Sequence, residues 1–541
     1  MRWGRKKNNI VQDGLFQIGA QAYHILLRGP PLEREDERPL VVFIPQPRQQ
    51  HVGRGSLRSD DYDEWDSRFM LRSDHDDFGG GYNDKWGKNS WFKPSCIPIT
   101  IILLLIVLVV LLPLLDAAEK QSRSEELKLI MNKCQQHCVF SLVETIPEGM
   151  VYKNGTTPFP STFDVWKEMI LSANSSLEIA SFYWTLRDGD VSREPGLTKY
   201  PSSDKGEEIF AKLLEIGQGG KVNVKIVQSE PSKMTPNTDT EVLSKKKAAE
   251  VRSLNLPRLI SGNGVLHTKL WIADRKTAYI GSANTDWRSL TQVKEMGIYI
   301  KNCTCLIEDL GKIFNVYWIM SVPDAKIPSN WPKDLSTIFN NNNPMQLFLN
   351  DTKTSVYLSS SPPELCPPGR ENDGNSIVKT ISKAEKFIYV AVMDYVPLRI
   401  YTPKPKFWPM IDNALRAAAI DQKVEVRLLI SSWNHTSKEE KYFLQSIVDI
   451  TNSFKNVKVS VKLFVVPSSA DQSKIPYARV NHNKYMVTDN IAYIGTSNWS
   501  GDYFIDTAGV GVIIEGDTFI RKDLEDVFLR DWNSEFAHFM N

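Results

Sequence analysis

The stretch GVLHTKLWIADRKTAYIGSAN (264–284) returns in altered form later in the chain as RVNHNKYMVTDNIAYIGTSN (479–498). Each stretch holds a histidine, a lysine two residues on and an aspartate five residues after the lysine, followed by the tripeptide YIG and a Ser/Thr-x-Asn sequence. One such pattern often arises by chance, but two copies with the same flanking residues do not. The repeat therefore predicts two related halves that share one active site.

The segments around the two motifs repeat in the same order: strand, amphipathic helix, strand, motif, short strand. The predicted segments are 176–184, 207–217, 222–227 and 296–300 in the first copy, and 387–395, 408–419, 424–431 and 509–515 in the second. Alternating strands and helices predict an α/β fold of two pseudo-symmetric halves, each a mixed β-sheet flanked by helices. We place the halves at 144–338 and 376–541, with an Asn- and Pro-rich connector at 339–375.

An uncharged segment, CIPITIILLLIVLVVLLPLL (96–115), precedes the repeats. As a helix it is long enough to cross a hydrocarbon core about 30 Å thick. It begins too far from the N-terminus for an ordinary cleaved signal peptide, so we predict a retained transmembrane signal anchor. Residues 1–95 mix charge, glycine and scattered aromatics and are predicted to form a mostly disordered cytosolic tail, and residues 116–143 a luminal juxtamembrane segment.

The orientation of the anchor is not decided by its flanking lysines and arginines, which are equally frequent on both sides. All six N-x-S/T sequons lie after the span, so we place the C-terminal side in the secretory lumen, as in a type II membrane protein. Five are predicted glycosylation sites: Asn154, Asn174, Asn302, Asn350 and Asn434. The sixth, at Asn498, lies inside the second motif, where a glycan would block the site.

Five cysteines follow the span: Cys134, Cys138, Cys303, Cys305 and Cys366. A secretory compartment permits disulfides, and an odd number leaves at least one thiol without an intramolecular partner. Zinc binding by the first four is the alternative, but their separations do not match the usual C-x₂-C spacing. We favour two disulfides and predict no metal site.

The paired motifs suit phosphodiester chemistry. On a strand, residues i and i+2 project to one face, so each motif would direct its histidine and lysine into the same space. One neutral imidazole can then attack phosphorus while the other, protonated, gives its proton to the leaving oxygen, without a cofactor. The predicted pair is His267 and His482. The predicted partners of the non-bridging oxygens are Lys269, Lys484, Asn284 and Asn498.

The third residue of each motif, Asp274 or Asp489, lies too far along the strand to touch phosphorus. We predict a structural role, or one in orienting a histidine or lysine. Aromatic residues near the strand ends are candidates for stacking nucleic-acid bases, although each has the alternative of being a core residue. These are Tyr183, Trp184, Tyr395 and Trp499. A net charge of +1 supplies no general attraction for nucleic acid.

The paired H-x-K-x₄-D motifs resemble those of the phospholipase D superfamily. Three segments are similar to its type II membrane branch, members three and four: LTQVKEMGIYIKNCTC (290–305), IPYARVNHNKYMVT (475–488) and AYIGTSNWSGDYF (492–504). This branch implies a 5′-to-3′ exonuclease that acts on single-stranded DNA and RNA, releases nucleoside 3′-monophosphates through a phosphohistidine, and limits nucleic-acid sensing. It also implies transit through endoplasmic reticulum and Golgi to the endosome and lysosome lumen. A released soluble form and a homodimer are compatible with the resemblance.

The resemblance further implies that His267 and His482 are nucleophile and general acid, with family habit favouring His267 as nucleophile. It implies that Cys134 and Cys138 pair with Cys303 and Cys305. Two alternatives stay open: a lipid phosphodiesterase or transphosphatidylase that makes bis(monoacylglycero)phosphate from phospholipid, and an inactive relative. The intact histidines and lysines of both motifs argue against inactivity.

Two positions depart from the family pattern. Asp489 stands where the relatives have glutamate, which keeps the carboxylate but shortens its reach. The chain also lacks the terminal cysteine that would partner Cys366. We expect altered activity rather than loss from the first departure, and the second leaves the state of the Cys366 thiol open.

Overall fold

The computed structural model describes residues 96–153, 155, 159–192, 198–349 and 351–540. The predicted cytosolic tail (1–95) and the sequon residues Asn154 and Asn350 lie outside the described residues. Within them, one helix is long and apolar enough to cross a membrane, and it contains the predicted span. The helix could serve as an anchor or as a signal.

The helices are α1 (Cys96–Lys133), α2 (Thr162–Ser172), α3 (Asp204–Gln218), α4 (Thr238–Lys245), α5 (Leu256–Leu259), α6 (Trp287–Thr291), α7 (Thr304–Met320), α8 (Asp373–Ser382), α9 (Met410–Ile420), α10 (Lys438–Val448), α11 (Ile450–Ser453), α12 (Asp502–Ile505) and α13 (Phe519–Trp532). The strands of the first half are β1 (His137–Thr145), β2 (Ser176–Ser181), β3 (Trp184–Thr185), β4 (Asn223–Ser229), β5 (Glu250–Leu254), β6 (Leu270–Ala273), β7 (Thr277–Gly281), β8 (Thr285–Asp286) and β9 (Glu295–Lys301).

The remaining strands are β10 (Met345–Leu349), β11 (Thr352–Ser361), β12 (Glu371–Asn372), β13 (Phe387–Val392), β14 (Tyr395–Val396), β15 (Leu398–Arg399), β16 (Lys406–Phe407), β17 (Glu425–Ser431), β18 (Val459–Phe464), β19 (Lys484–Thr488), β20 (Ile491–Gly495), β21 (Trp499–Ser500), β22 (Gly509–Glu515) and β23 (Ala537–Phe539).

Two mixed sheets with the same strand order confirm the predicted α/β fold of pseudo-symmetric halves. In the first sheet the order is β1-β9-β7-β6-β2-β4-β5. In the second it is β11-β22-β20-β19-β13-β17-β18. In each sheet the last three strands are parallel and the others antiparallel, as expected when a crossover helix joins β2 to β4 and β13 to β17.

Inner-face side chains of both sheets join one buried cluster, which also takes in side chains of α7 and α13. The outer face of the first sheet is covered by α2 and α3, and that of the second by α8 and α9. Apolar burial on both faces explains why the predicted strands read as continuous apolar runs. The shared cluster includes side chains of β6 and β19, the two strands that lie inside the motifs.

Helix α2 shows how local sequence supports this arrangement. Ser161 caps it in a reciprocal hydrogen-bonding pair with Asp164, which satisfies two backbone N–H groups at its start. Its Trp166 stacks on Trp271 of β6 at 4.6 Å between ring centroids. The helix therefore fixes the strand that leaves the first motif.

Strand assignment differs from the prediction at two domain boundaries. Residues 137–145 form a strand that pairs with β9 of the first sheet and, at its start, with β10, although the first half was predicted to begin at 144. The predicted connector contains β11, which pairs along its length with β22 inside the second sheet. The sequence analysis did not recognise β11 as a strand because β11 itself contains several serines and threonines rather than a purely apolar run.

Two disulfides confirm the preference for disulfides over zinc at these cysteines: Cys134–Cys305 and Cys138–Cys303. They join the start of β1 to the start of α7. Cys366 is a free thiol, and its Sγ lies 3.3 Å from the Ser360 carbonyl oxygen.

Candidate active site between the halves

Each motif histidine is held by the backbone of the opposite half. The His267 N–H donates to the Ala508 carbonyl at 2.8 Å, and the His482 N–H donates to the Lys294 carbonyl at 2.8 Å. Residues 266 and 481, which precede the histidines, form isolated parallel bridges with the same two partners. The two motifs therefore meet at one place only because the halves face each other.

The prediction that both histidines lie on strands is wrong. His267 and Lys269 precede β6, and His482 precedes β19, because the segment leaves its own sheet to pair with the opposite half. Each lysine instead folds back onto its motif: Lys269 Nζ donates to the His267 carbonyl at 2.6 Å and Lys484 Nζ to the His482 carbonyl at 2.7 Å. The histidine and lysine of each motif still share one space.

The imidazoles differ in what they contact at Nδ1. His267 Nδ1 lies 2.8 Å from the Thr496 carbonyl oxygen, which only accepts hydrogen bonds. A neutral His267 is therefore assigned its proton at Nδ1, with a free lone pair at Nε2. His482 Nδ1 lies 2.9 Å from the Glu295 carboxylate, which stabilises an imidazolium.

Glu295 was missed by the sequence analysis. It is fully buried, and the Ser282 hydroxyl donates to the same carboxylate oxygen at 2.5 Å. Strand register pairs Gly281 with Gly297 in the first half and Gly495 with Gly511 in the second, so the position equivalent to Glu295 is Gly509. The sequence signal was one carboxylate at the start of an otherwise apolar strand.

Burial sets the electrostatics of this site. It lowers the pKa of His267 well below the usual range, and the charges of Lys269 and Lys484 lower it further. Burial also lowers the pKa of His482, to about 4, although Glu295 acts in the opposite direction. The pKa of Lys484 falls to about 7 because the ammonium group is buried.

A buried ion cluster supports the second motif from behind. Lys294, whose carbonyl holds His482, directs its Nζ to Glu144 of β1 at 2.9 Å and to Asp531 of α13 at 2.8 Å. Arg530 pairs with Glu144 as well. Lys294, the residue before Glu295, is thus held by ion pairs to β1 and to α13.

Comparison with known proteins now adds to this geometry. A family model described as "PLD3/4, PLD-like domain" matches residues 156–469. A protein named 5'-3' exonuclease PLD3 from Xenopus tropicalis is 46% identical over 455 residues, which are 82% of this chain and 90% of that protein. The chain belongs to the phospholipase D superfamily. As a member, it is a phosphodiesterase.

Other relatives of this phospholipase D-family enzyme span similar lengths. The Homo sapiens protein of the same name is 46% identical over 75% of this chain and 81% of its own length. A crystal structure of phosphatidylserine synthase from Haemophilus influenzae is similar with a TM-score of 0.48 and 11% identity, covering 77% of this chain and 92% of that one.

The motif aspartates lie away from the histidines of the phospholipase D site. Asp274 accepts hydrogen bonds from the backbone N–H groups of residues 174, 175 and 176, just before β2. Asp489 accepts from the backbone of Glu385 and Lys386, before β13. These contacts fit the structural role, and a role in orienting a motif histidine or lysine stays a prediction.

The two motif asparagines flank the site. Asn284 Nδ2 lies 3.4 Å from the Tyr183 hydroxyl, and Asn498 Nδ2 donates to Asp394 Oδ2 at 2.8 Å. Asn498 Nδ2 also lies 3.2 Å from the Tyr503 hydroxyl. Contact of both amides with substrate oxygens stays a prediction. Within the described residues, no cluster of His, Cys, Asp and Glu is suited to hold a metal ion.

Of the four aromatic candidates for base stacking, three are core residues with at most 2% exposure: Trp184, Tyr395 and Trp499. Tyr183 is partly exposed and donates its hydroxyl to Asp286 at 2.9 Å. Two aromatics that the sequence analysis missed contact the nucleophile candidate. The ring centroids of Phe182 and Tyr503 lie 5.4 and 4.9 Å, respectively, from the ring centroid of His267.

Proposed function

We propose that this protein is a metal-independent 5′-to-3′ exonuclease of single-stranded DNA and RNA, with His267 as nucleophile and His482 as general acid. The observation that carries the assignment is the difference at Nδ1: a carbonyl partner for His267 and a carboxylate partner for His482. The relatives named 5'-3' exonuclease support the substrate and the direction.

In the first step, His267 Nε2 attacks phosphorus and the bond from phosphorus to the 5′-oxygen of the next nucleotide breaks. His482 gives its proton to that oxygen, so the shortened strand leaves with a 5′-hydroxyl. In the second step the now neutral His482 takes a proton from water, and the resulting hydroxide attacks phosphorus. The bond to His267 breaks, which releases a nucleoside 3′-monophosphate.

The buried lysines would hold the non-bridging oxygens as charge develops. Lys269 and Lys484 are each about 1% exposed, so their attraction for a phosphate is little screened by solvent. A bound phosphodiester would also add negative charge beside His482 and raise its pKa above the value of about 4 that the protein groups alone give it.

An acidic pH optimum follows from the lowered pKa of His482. The acid must start protonated, and burial lowers the pKa of His482, so the active fraction grows as the pH falls towards that pKa. The lumen of an endosome or lysosome supplies such a pH, and helix α1 would hold the enzyme there as a type II protein. Asn174, Asn302 and Asn434 are exposed and would accept glycans, whereas Asn498 is 3% exposed.

Digestion of a 5′-hydroxyl single-stranded oligonucleotide by the full chain, with EDTA present at acidic pH, tests the proposal. We expect stepwise release of 3′-monophosphates, which His267→Ala abolishes and His482→Ala slows by about 10²–10⁴-fold. The matched control is His538→Ala, which removes an exposed histidine of β23. No release by folded wild type would contradict the exonuclease, and a transfer product from phospholipid instead would favour the lipid enzyme.

A further inference from the structure

Asp394 is an acidic residue that the two-histidine mechanism does not use, yet it lies at the active site. It follows β13 at the position where Tyr183 follows β2, since β13 pairs with β19 as β2 pairs with β6. One half thus presents a phenol and the other a carboxyl group. The pseudo-symmetry of the fold does not require this difference.

Two hydrogen bonds and one ring contact connect Asp394 to the nucleophile. Its Oδ2 accepts from Asn498 Nδ2 at 2.8 Å, and the same nitrogen lies 3.2 Å from the Tyr503 hydroxyl. The Tyr503 ring packs edge-on against His267 at 4.9 Å. Among the described residues, Asp394 Oδ1 has no hydrogen-bond partner, and the side chain is partly exposed. That oxygen is available to a ligand.

A second carboxyl group, that of Glu440, contacts the residue that follows Asp394. Its Oε1 accepts the Tyr395 backbone N–H at 2.6 Å. Burial raises the pKa of Glu440 to about 9, and the charge of Asp394 contributes. Burial raises the pKa of Asp394 to about 6, against the attraction of Lys484. The pair therefore holds a proton on Glu440, and Asp394 carries the charge above about pH 6.

A carboxylate beside a phosphodiester site repels a second phosphate and accepts a hydrogen bond from a hydroxyl group. In a nucleic-acid strand these two groups distinguish an end from the interior. Each internal nucleotide carries a phosphodiester on its 5′-oxygen, whereas the first nucleotide can carry a hydroxyl there. An exonuclease that removes the first nucleotide needs this distinction.

We propose that Asp394 reads the 5′ end of the strand, by accepting a hydrogen bond from the terminal 5′-hydroxyl and excluding a phosphate from the same position. The proposal rests on the exonuclease function above. It makes Asp394 the residue that confines cleavage to the first internucleotide bond.

The test compares two oligonucleotides of one sequence, with either a 5′-hydroxyl or a 5′-methyl phosphate diester. The diester carries one negative charge that does not titrate in the working range, as an internal linkage does. With the full chain above pH 6, wild type should prefer the hydroxyl strand by about a hundredfold, because the negative charge of the diester is repelled by the Asp394 carboxylate. Asp394→Asn should reduce the preference by about tenfold or more.

The matched control is Glu440→Gln, which replaces the protonated neighbour with a group of similar shape and should keep the preference. An unchanged preference in folded Asp394→Asn would overturn the proposal, as would a wild type that cuts both strands equally. If wild type releases nucleotides from neither strand, the exonuclease itself fails, which is a different result.

A measurement on wild type alone covers the case in which Asp394→Asn does not fold. Because the diester does not titrate, its exclusion should weaken as the pH falls through about 6, where Asp394 becomes neutral. The titratable groups that face Asp394 are Glu440, Lys484, Tyr401 and Tyr503. A preference that stays constant across that range would count against the proposal.

Discussion

The two halves place their histidines in equivalent backbone frames but surround them with different chemistry. Both histidines are held by a carbonyl of the opposite half at 2.8 Å, and both motif lysines donate to the carbonyl of their own histidine. The difference lies at Nδ1, where His482 contacts Glu295 and His267 contacts a backbone carbonyl. The two halves thus share their backbone geometry but carry Glu295 in the first and Gly509 at the equivalent position of the second, and on this difference we base the proposed roles of the histidines.

The largest effect should come from the histidines themselves. His267→Ala removes the attacking nitrogen, so we expect no phosphohistidine and no turnover. His482→Ala removes the proton donor and should slow cleavage of an oligonucleotide by about 10²–10⁴-fold. An aryl phosphodiester needs no proton on its leaving group, so His482→Ala should still label His267 with it. Denaturing mass spectrometry would show the phosphoryl adduct, and an adduct in His267→Ala would reverse the assignment.

Loss of Glu295 should make the two histidines more alike. Glu295→Gln removes the charge that stabilises protonated His482, so we expect turnover to fall by about 10- to 100-fold, as for other outer partners of a site histidine. The alkaline limb of the pH–rate profile, where His482 loses its proton, should move to lower pH, because the pKa of His482 falls without the carboxylate. Steady-state rates across pH would show both changes.

Glu178→Gln is the matched control for that variant. Glu178 of β2 is also a buried first-half carboxylate, but it forms an ion pair with Arg275 and not with a histidine. Its removal should leave the pH–rate profile in place. A profile that is unmoved in Glu295→Gln would argue against any special role for His482 as the acid.

The motif aspartates should show the smallest effect, and on stability. Asp274→Ala leaves three backbone N–H groups and one hydroxyl without their acceptor, and Asp489→Ala leaves two backbone N–H groups and the exposed side-chain amide of Asn490. At about 0.5–1.5 kcal/mol for each lost hydrogen bond, less where water replaces it, Asp274→Ala should destabilise the fold more. Thermal unfolding would measure this, and equal losses would contradict the difference in contacts.

The contribution of Asp274 should also depend on pH. Its hydrogen bonds lower the pKa of the carboxyl group to about 2, despite the opposing effect of burial. A depressed pKa stabilises the folded state above the unfolded value of about 3.9 and the contribution is lost as the pH falls towards 2. The stability gap between wild type and Asp274→Ala should narrow over that window. A constant gap would show that the carboxylate charge contributes nothing.

Prediction from sequence succeeded where a pattern repeats or has a period. The duplicated motif located His267 and His482, and apolar strands alternating with amphipathic helices indicated the α/β fold. It failed where pairing crosses between distant segments. Strand β11 is polar enough to resemble a connector, yet it pairs along its length with β22. Glu295 resembles any carboxylate at a strand end until the opposite half places a histidine against it.

The amino-acid sequence by itself determined that two copies of one chemical motif exist, that a long apolar helix precedes them and that four cysteines were suited to two disulfides. Only the tertiary structure decided which histidine has a carboxylate partner and that Asp394, Phe182 and Tyr503 belong to the site. The physical reason is that periodicity and repetition are local properties of a chain, whereas a hydrogen bond between residues 295 and 482 depends on how two sheets pack.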